Sequence, residues 1–301
     1  MVGHPLTPTI TRHDDEALVV SVGDVELFEY VHRPSTPAFE GPKPYLHPVR
    51  TLAGDVVTAF RPHDHRWHKG LQMTATDVSG QNFWGGNTYV RDQGYLALPN
   101  VGGMRHESFA VADPDGARVR FDERLSWHTE AGLHWVDEVR EFTVRDVEDE
   151  TWTLEFATAL TNVHDEPLVF GSPTTNGREL AGYTGLFWRG PRSFTGGEVI
   201  AADGGAGEEM MGVAAKWLAF VGSHDEVDRS STLLFLDHPD NRGTHWFVRT
   251  TLFAAVNPSF AFHEPVEVAP GEVLRLRYRV VVANGAWNRE QLESYVDGHP
   301  W

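Results

Sequence analysis

The most chemically reactive stretch of the sequence is the segment 61–70, which reads Arg-Pro-His-Asp-His-Arg-Trp-His-Lys-Gly. It places three imidazoles and one carboxylate among three cations, and these imidazoles and the carboxylate belong to His63, Asp64, His65 and His68. On an extended chain His63 and His65 point to the same side, whereas His68 is out of phase with them. A convergent site in this segment therefore requires a turn before His68.

Three interpretations of this segment stay open from its spacing. His-x-His pairs ligate zinc, manganese or iron when a further histidine or carboxylate joins them, so His63, His65 and His68 are candidate metal ligands. Alternatively, two imidazoles can exchange protons near neutral pH without a metal, and His47 upstream adds a fourth imidazole. The third interpretation is a structural loop, held by hydrogen bonds between its histidines, its arginines and Asp64.

A second feature is a pair of charges in the segment 133–145. Side chains alternate between the two faces of a strand, and one mostly apolar face of this segment also carries Glu138 and Arg140. Charges that point inward need partners or a cleft. Glu138 is therefore a candidate catalytic carboxylate, and the alternative is a buried structural ion pair with Arg140.

Other residues are of types that bind a ligand rich in hydroxyl or carboxylate groups. Arginine and asparagine make directional hydrogen bonds, and an indole face can stack on a sugar ring. Loops at the ends of a sandwich are also where sites usually lie. We therefore expect substrate contacts from Arg50, Asp64, Trp84, Asn176, Arg178, Arg189, His238 and Asn241.

The elements that must position these residues are β-strands, because nearly every strong apolar segment has period two. Residues 119–127, 152–160 and 274–282 alternate apolar with polar side chains, which is typical of half-buried antiparallel strands. Further strands are expected at 17–22, 25–30, 56–60, 109–112, 133–145, 217–222, 232–236, 246–249 and 261–268. One helix is predicted at about 289–297, where Asn288 and Gln291 have the spacing of a capping box.

This pattern predicts an all-β protein built as a large antiparallel two-sheet supersandwich with a short C-terminal helix. No stretch resembles a flexible linker, so we expect residues 1–301 to form a single β-sandwich domain. In this arrangement the strands within residues 17–30 pack on the sandwich, and the helix at about 289–297 follows the last strand.

Composition excludes several classes of function. The 25 basic and 43 acidic residues give a net charge of −18, which repels nucleic acids and anionic membrane surfaces. The chain has no cysteine, which removes disulfides, thiolate nucleophiles and cysteine-ligated metals. No segment approaches the roughly 18 apolar residues of a spanning helix, and the first residues lack the pattern of a secretory signal. We therefore expect a soluble, cytoplasmic protein with neither a nucleic acid nor a membrane as partner.

Several short motifs resemble, in their order along the chain, a bacterial family of unknown function filed under the heading PmoA-like. They extend from about residue 45 to residue 285, and they are Pro44-Tyr45-Leu46-His47-Pro48, Asp64-His65-Arg66-Trp67-His68-Lys69-Gly70, Asn82-Phe83-Trp84, Gly182-Tyr183-Thr184-Gly185-Leu186, Asp237-His238-Pro239-Asp240-Asn241 and Pro270-Gly271-Glu272. The heading names a membrane-spanning methane oxygenase subunit. Because no segment here can span a bilayer, we do not expect a monooxygenase.

The end of the chain also resembles the galactose-mutarotase-type supersandwich. Val-Ala-Pro-Gly-Glu at 268–272 and the long strand after it carry this likeness. The fold is shared by aldose epimerases and by domains of glycoside hydrolases and polysaccharide lyases. In the epimerases a histidine acts as acid and a glutamate as base. The resemblance implies an acid drawn from the four histidines named above and a base at Glu138.

These observations predict a carbohydrate-active enzyme of epimerase, lyase or hydrolase type that acts on a small soluble sugar or glycoside. Its catalytic residues are expected to be His47, His65, His68 and Glu138. No cofactor follows with certainty from the sequence. One alternative is a sugar-modifying enzyme with a divalent metal on the histidines of the segment 61–70. Another is a non-catalytic carbohydrate-binding module that uses Trp84 as a platform.

Overall fold

The computed structural model of the protein describes residues 7–112, 118–241 and 243–301. The chain forms strands that are connected by turns and long loops, with one α-helix near its end. The strands are β1 (Pro8–Arg12), β2 (Ala17–Val22), β3 (Val25–Val31), β4 (Tyr45–Val49), β5 (Leu71–Thr74), β6 (Asp77–Val78), β7 (Thr88–Val90), β8 (Gly94–Leu96), β9 (Gly103–Ala112), β10 (Val119–His128), β11 (His134–Arg145), β12 (Thr151–Asn162), β13 (Leu168–Gly171), β14 (Gly185–Arg189), β15 (Glu198–Ala201), β16 (Trp217–Ser223), β17 (Ser230–Asp237), β18 (His245–Arg249), β19 (Ala255–Ser259), β20 (Val266–Val268) and β21 (Val273–Asn284). Short 3-10 turns occur at Ala38–Glu40, Arg192–Phe194, Ala202–Gly204 and Gly207–Met210, and the α-helix α1 is Arg289–Gly298.

Two large antiparallel sheets of eight strands each make up most of the protein. Sheet A has the strand order β1-β2-β3-β4-β5-β14-β19-β18, and sheet B has the order β15-β16-β17-β21-β12-β11-β10-β9. A three-stranded sheet, β20-β13-β6, and the hairpin β7-β8 lie beside them. The predicted all-β, two-sheet supersandwich with one C-terminal helix is therefore confirmed. The strands predicted within 17–30 are β2 and β3, which are members of sheet A.

The core lies between the two sheets, where the period-two alternation of each strand places its apolar side chains. The ring centroid of Trp188 in sheet A lies 5.1 Å from that of Phe220 in sheet B. Phe28 and Trp152 meet across the same interface at 5.8 Å. Complete burial of a large apolar side chain stabilises a fold by about 1.5–3 kcal/mol, and many such side chains meet here.

The helix α1 begins and ends close to the predicted range of 289–297. Asn288 accepts a hydrogen bond from the backbone N–H of Gln291, and the side chain of Gln291 accepts one from the backbone of Asn288, which completes the capping box. Leu292 and Tyr295 bury the apolar side of α1 against the outer face of sheet B. Among the described residues, no helix is long and apolar enough to cross a membrane.

Two strand predictions differ from the structure. Residues 56–60 form no strand, because this stretch pairs only through the isolated bridges Arg50–Val56 and Phe60–Lys69. The predicted strand at 261–268 is interrupted by a turn, and only Val266–Val268 is extended and paired. Apolar composition alone did not reveal that the backbone leaves the sheet at both places.

The inward carboxylate of Glu138 is held inside the sandwich by a complete set of donors. Arg140 donates to its two oxygens at 2.7 and 2.8 Å, and Trp127 and Thr158 each donate at 2.8 Å. Burial alone would lower the pKa of Arg140, but Glu138 raises it above its usual value. This placement corrects the expectation that Glu138 joins the histidines, since all its contacts are within the core. Of the two interpretations of this charge pair, a catalytic carboxylate or a structural ion pair, the contacts are those of a buried ion pair between Glu138 and Arg140.

Removal of one partner of this ion pair is expected to destabilise the fold strongly. In Arg140→Met the carboxylate of Glu138 would remain buried without its cation, which costs about 3–5 kcal/mol of unfolding free energy. Urea denaturation followed by tryptophan fluorescence measures this loss.

The matched control is Arg120→Met, which removes an exposed arginine that pairs with Asp122 and Glu141 on the same sheet. Exposed ion pairs contribute only about 0–1 kcal/mol. Equal losses in the two variants would contradict a special role for the buried pair.

Candidate functional site

A cavity of about 330 Å³ lies on the face of sheet A that points away from sheet B. Because Trp188 of β14 packs against sheet B, its neighbour Phe187 must point to the opposite face. There the ring of Phe187 lies 6.5 Å from that of Phe247 on β18. Long loops rise from this face and form the walls of the cavity.

The lining combines aromatic rings with a few polar groups. The aromatic members are Trp67, Trp84, Tyr95, Tyr183, Phe187, Phe247 and Phe253. The polar members are His65, His68, Asn87, Arg178 and Arg249, and Ala181 and Leu252 complete the wall. No aspartate or glutamate from the described part of the chain lines this cavity. Apolar walls with a few converging polar groups are typical of small-molecule sites.

The histidines reach the cavity because the segment 61–70 folds into a tight loop. The backbone N–H of Arg61 donates to the carbonyl of His68 at 2.9 Å, which closes the loop. Inside it, the N–H of His68 donates to the carbonyl of His65, also at 2.9 Å. This turn brings the two imidazole centroids to 4.7 Å. It supplies the change of direction that a convergent site required.

A buried carboxylate beneath the loop holds both of its ends. Glu40 is 2% exposed and accepts hydrogen bonds from Arg61 at 2.5 and 2.9 Å. Its Oε2 also lies 3.2 Å from the ammonium of Lys69. Although burial raises the pKa of Glu40, Arg61 and Lys69 hold it below its usual value. The loop is therefore fixed by charge at its first and ninth residues.

A second buried cation supports the aromatic wall. Lys43 is completely buried, and its ammonium donates to the carbonyl oxygens of Trp84 at 2.6 Å and Gly41 at 3.1 Å. Gly86 has a left-handed φ of 70°, and a Cβ atom on it would lie 2.8 Å from the ring of Trp67. The close approach at Gly86 and the contact from Lys43 fix the positions of the two indoles.

His68 is a buried, neutral imidazole whose tautomer is determined by its neighbour. Its Nδ1 lies 3.2 Å from Nη1 of Arg189, and because a guanidinium can only donate, Nδ1 must accept. Burial and then the charge of Arg189 lower the pKa of His68 well below its usual value. The single ring proton is therefore on Nε2.

His65 lies beside an anion where His68 lies beside a cation. Its Nδ1 is 3.3 Å from Oδ2 of Asp64, and no group in the described chain is aligned for a hydrogen bond to this nitrogen. Burial lowers the pKa of His65, whereas Asp64 partly offsets this shift. The two neighbouring histidines therefore differ in the charge of the group beside Nδ1.

The arginines are arranged around the aromatic rings. The guanidinium of Arg178 lies 4.8 Å from the ring centroid of Tyr95 and donates to its hydroxyl group. The hydroxyl groups of Tyr95 and Tyr183 are 2.5 Å apart. Arg189 is buried behind the lining, and its guanidinium lies 3.9 Å from the ring centroid of Phe253.

Four of the residues predicted from the sequence line the cavity, namely His65, His68, Trp84 and Arg178. Two more, Asp64 and Arg189, contact the histidines from outside the lining. The others lie elsewhere. Glu138 is in the core, as described above.

His47 and Arg50 are on β4 and just after it. Nδ1 of His47 is 2.9 Å from Oγ1 of Thr58, and its ring stacks on Phe60 at 5.2 Å. Burial lowers the pKa of His47 to about 4. The backbone carbonyl of Arg50 accepts a hydrogen bond from Trp152. The expectation that His47 joins the other catalytic histidines is therefore not met by its position.

The side chains of the remaining candidates make hydrogen bonds to nearby residues outside the cavity lining. Asn176 donates to Asp77 at 2.8 Å. His238 and Asn241 lie at the end of sheet B, where Nε2 of His238 accepts from Arg277 at 3.1 Å and Asn241 donates to Asp237 at 2.7 Å. These contacts order turns away from the cavity.

The geometry does not fit the alternative of a metal bound by His63, His65 and His68. Nδ1 of His63 is 3.0 Å from Nη2 of Arg192, a donor that occupies this nitrogen, and Nδ1 of His68 is occupied in the same way by Arg189. Over residues 7–112, 118–241 and 243–301, no three histidine, aspartate or glutamate side chains converge as metal ligands.

A larger groove of about 630 Å³ crosses the outer face of sheet B. Its lining holds five arginines and two glutamates, and ion pairs join Arg120 to Glu141 at 2.9 Å and Arg145 to Glu155 at 3.2 Å. No histidine lines this groove within the described residues. The cavity on sheet A, which brings His65 and His68 together, is the candidate site.

Several lining residues were not predicted. Tyr95 comes from the hairpin β7-β8, and Phe247 and Arg249 come from β18. The alternation of His245, Phe247 and Arg249 indicates a strand face but not which cavity it meets. Tyr183 and Phe187 were not predicted either, although they lie in the sequence between the predicted residues Arg178 and Arg189.

Two solved structures are similar to the chain in overall structure. One is galactose 1-epimerase from Lactobacillus acidophilus, at 7% identity over 93% of this chain and 100% of that chain, with a TM-score of 0.41. The chain is also similar to an aldose epimerase homologue from C. elegans, at 11% identity over 94% of this chain and 100% of that chain, with a TM-score of 0.30. No curated protein matches the sequence.

The family match covers residues 17–297 and therefore most of the chain. The family is described only as one of unknown function, so the heading PmoA-like stays a resemblance. The chain belongs to the family of unknown function DUF6807.

Proposed function

We propose that the protein is a carbohydrate-active enzyme that binds a small sugar or glycoside in the cavity on sheet A. His65 and His68 carry out its acid–base chemistry at or beside the anomeric carbon. The observation that supports this proposal most directly is the pair of adjacent imidazoles, 4.7 Å apart, one beside Asp64 and the other beside Arg189, with aromatic walls around them.

His65 acts as the base and His68 as the hydrogen-bond donor. In its Nδ1-protonated form, which the charge of Asp64 favours, His65 takes up on Nε2 a proton from the carbon beside the carbonyl group of the sugar. The electron pair of the broken C–H bond forms a C=C bond, the π pair of the C=O bond moves to its oxygen, and the N–H of His68 donates a hydrogen bond to this oxygen without losing its proton. The same His65 returns the proton when the reaction is completed. Arg189 keeps His68 neutral and correctly oriented throughout.

The walls of the cavity suit a sugar ring. The half-buried Trp67 offers an indole face for the C–H side of the ring, Trp84 borders the cavity with only 4% of its surface exposed, and Asn87 and Arg178 offer donors for the hydroxyl groups of the sugar. A volume of about 330 Å³ is at the small end of ligand pockets, which favours a monosaccharide or a short glycoside.

The lining also favours some reaction types over others. Glycoside hydrolysis is usually carried out by a pair of carboxylates on either side of the bond. The described lining holds no carboxylate, whereas a neutral base and a neutral hydrogen-bond donor suit epimerisation or elimination. We therefore place proton abstraction ahead of hydrolysis.

Replacement of either cavity histidine is expected to abolish most turnover. His65→Ala removes the base, and His68→Gln keeps side-chain bulk while it removes the imidazole. Each variant should lower kcat by about 100-fold or more, the usual contribution of a positioned acid or base. Proton NMR in D₂O on a panel of aldoses, uronates and glycosides measures both interconversion and solvent deuterium uptake.

The control is His63→Ala, which removes a histidine of the same loop that contacts Arg192 outside the cavity. Its turnover should equal that of the wild type. A non-catalytic binding module would behave differently, because all three histidine variants would then keep sugar affinity and only Trp84→Ala would lose it. No turnover in the wild-type protein together with this pattern would rule the enzyme out.

The pH dependence follows from the direction of the pKa shift of His65. Because burial lowers this pKa, the base stays neutral as the pH falls through 6.5, and kcat/KM should decline only at lower pH. Asp64 raises the pKa of His65, so Asp64→Asn should move the acid limb to still lower pH and reduce the plateau.

The matched control for this profile is Asp165→Asn, which changes an exposed aspartate beside His164 at 3.4 Å. Its pH profile should overlay that of the wild type. An acid limb in Asp64→Asn that moves to higher pH would contradict the assignment of His65 as the base.

A further inference from the structure

We infer that the ligand of this cavity is an acidic sugar, whose carboxylate or phosphate group is bound by Arg178 and Arg249. The inference rests on the proposed function and names the substrate class of the same site. Its basis is the balance of charge around the cavity, in which the arginines exceed the anions that the protein supplies.

Arg178 lies at the cavity wall without a carboxylate partner among the described residues. Its side chain contacts the ring and hydroxyl group of Tyr95 and the hydroxyl group of Tyr183. No ion pair joins it to an acidic residue within the described ranges. The planar guanidinium therefore keeps donors for a bidentate contact with a carboxylate or phosphate.

Arg249 is only partly neutralised. Its Nη1 lies 3.6 Å from Oε2 of Glu208. The other oxygen of Glu208 accepts from the backbone N–H groups of Thr250 and Thr251 at 2.6 and 3.0 Å, so this carboxylate chiefly orders the turn after β18. Nη2 of Arg249 donates to the carbonyl of Leu180 at 3.4 Å, which places the arginine beside the segment that carries Arg178.

A third guanidinium adds to the positive potential. Arg189 is 2% exposed, and its Nε has no hydrogen-bond partner. Burial lowers the pKa of Arg189 to about 10, which leaves it charged at neutral pH. Both cavity histidines are neutral, and the anions nearest these arginines are Asp64, whose charge acts on Arg189, and Glu208, which lies beside Arg249. Arg178 has no such neighbour in the described chain, and an anionic ligand would supply its missing partner.

The order of the lining residues places this charge at one end of the site. The ring of Trp84 lies between His68 at 5.0 Å and Tyr183 at 5.4 Å, and Tyr183 contacts the Tyr95 that holds Arg178. A pyranose that lies in the cavity with its anomeric carbon at the histidines directs the opposite part of the ring toward Arg178. Hexuronates and hexose 6-phosphates carry their anionic group on that part.

Calorimetric titration of the whole protein tests this inference with two sets of probes. One set is D-galactose, D-galacturonate and D-galactose 6-phosphate, and the other is the corresponding D-glucose set. At least one acidic sugar should bind about tenfold or more tightly than its neutral parent, with an affinity that falls as salt rises. The better acidic probe distinguishes a carboxylate site from a phosphate site. Equal or weaker binding of every acidic sugar would overturn the inference.

Variants then locate the anion. Arg178→Gln and Arg249→Gln should each remove most of the preference for the acidic sugar, while Arg178→Lys keeps the charge, loses the planar fork and retains an intermediate preference. Arg275→Gln on the outer face of sheet B is the matched control and should bind like the wild type. An unchanged preference in both cavity variants, with native circular dichroism, would contradict the assignment.

Failure of this inference is distinguishable from failure of the proposed function. If His65→Ala binds the acidic sugar like the wild type and the wild type turns nothing over, the anion site stands and the catalytic proposal falls. If the histidine variants lose turnover of a neutral sugar that binds as well as its acid, the catalytic proposal stands and the anion site falls.

Discussion

The candidate site depends on one buried ion cluster. Glu40 receives Arg61 and Lys69 from the two ends of the histidine loop, and both the carboxylate and Lys69 are removed from water. Such a cluster stabilises a structure only when every member is present, because any one left alone would be a buried, uncompensated charge. The turn that joins His65 to His68 is therefore determined by a residue that precedes it in the chain and is separated from it by β4.

The arginines of the groove and of the cavity have different partners. The groove on sheet B is lined by five arginines and two glutamates, and both glutamates form ion pairs, as between Arg279 and Glu155 at 2.8 Å. Around the cavity on sheet A, Arg178 and Arg189 face aromatic rings and a neutral imidazole, and Arg249 lies 3.6 Å from Glu208. The net charge of −18 thus coexists with a cavity whose described lining has arginines and no carboxylate. Such an arrangement attracts an anion locally on a protein whose net charge repels it.

The elements of the fold could be predicted where their signal is local. Residues 17–22 are apolar except for Ser21 and form β2 with the predicted bounds, and the capping box at Asn288 and Gln291 starts α1. The strand predicted at 56–60 is wrong, because an apolar stretch can equally line a loop that packs on a sheet. Glu138 shows the same limit in the site. Its inward position followed from alternation, but the donor set of Trp127, Thr158 and Arg140 comes from three strands, and only their register completes it.

The sequence by itself determined the all-β architecture, the cap of the helix and the segment 61–70 as the stretch richest in reactive groups. These features depend on neighbours within a few positions, where alternation and spacing are visible. Only the tertiary structure decided that His65 and His68 face a cavity while His47, His63 and Glu138 do not. The reason is that each decision rests on a contact between distant residues. The hydrogen bond that sets the tautomer of His68 comes from Arg189, which lies 121 positions along the chain.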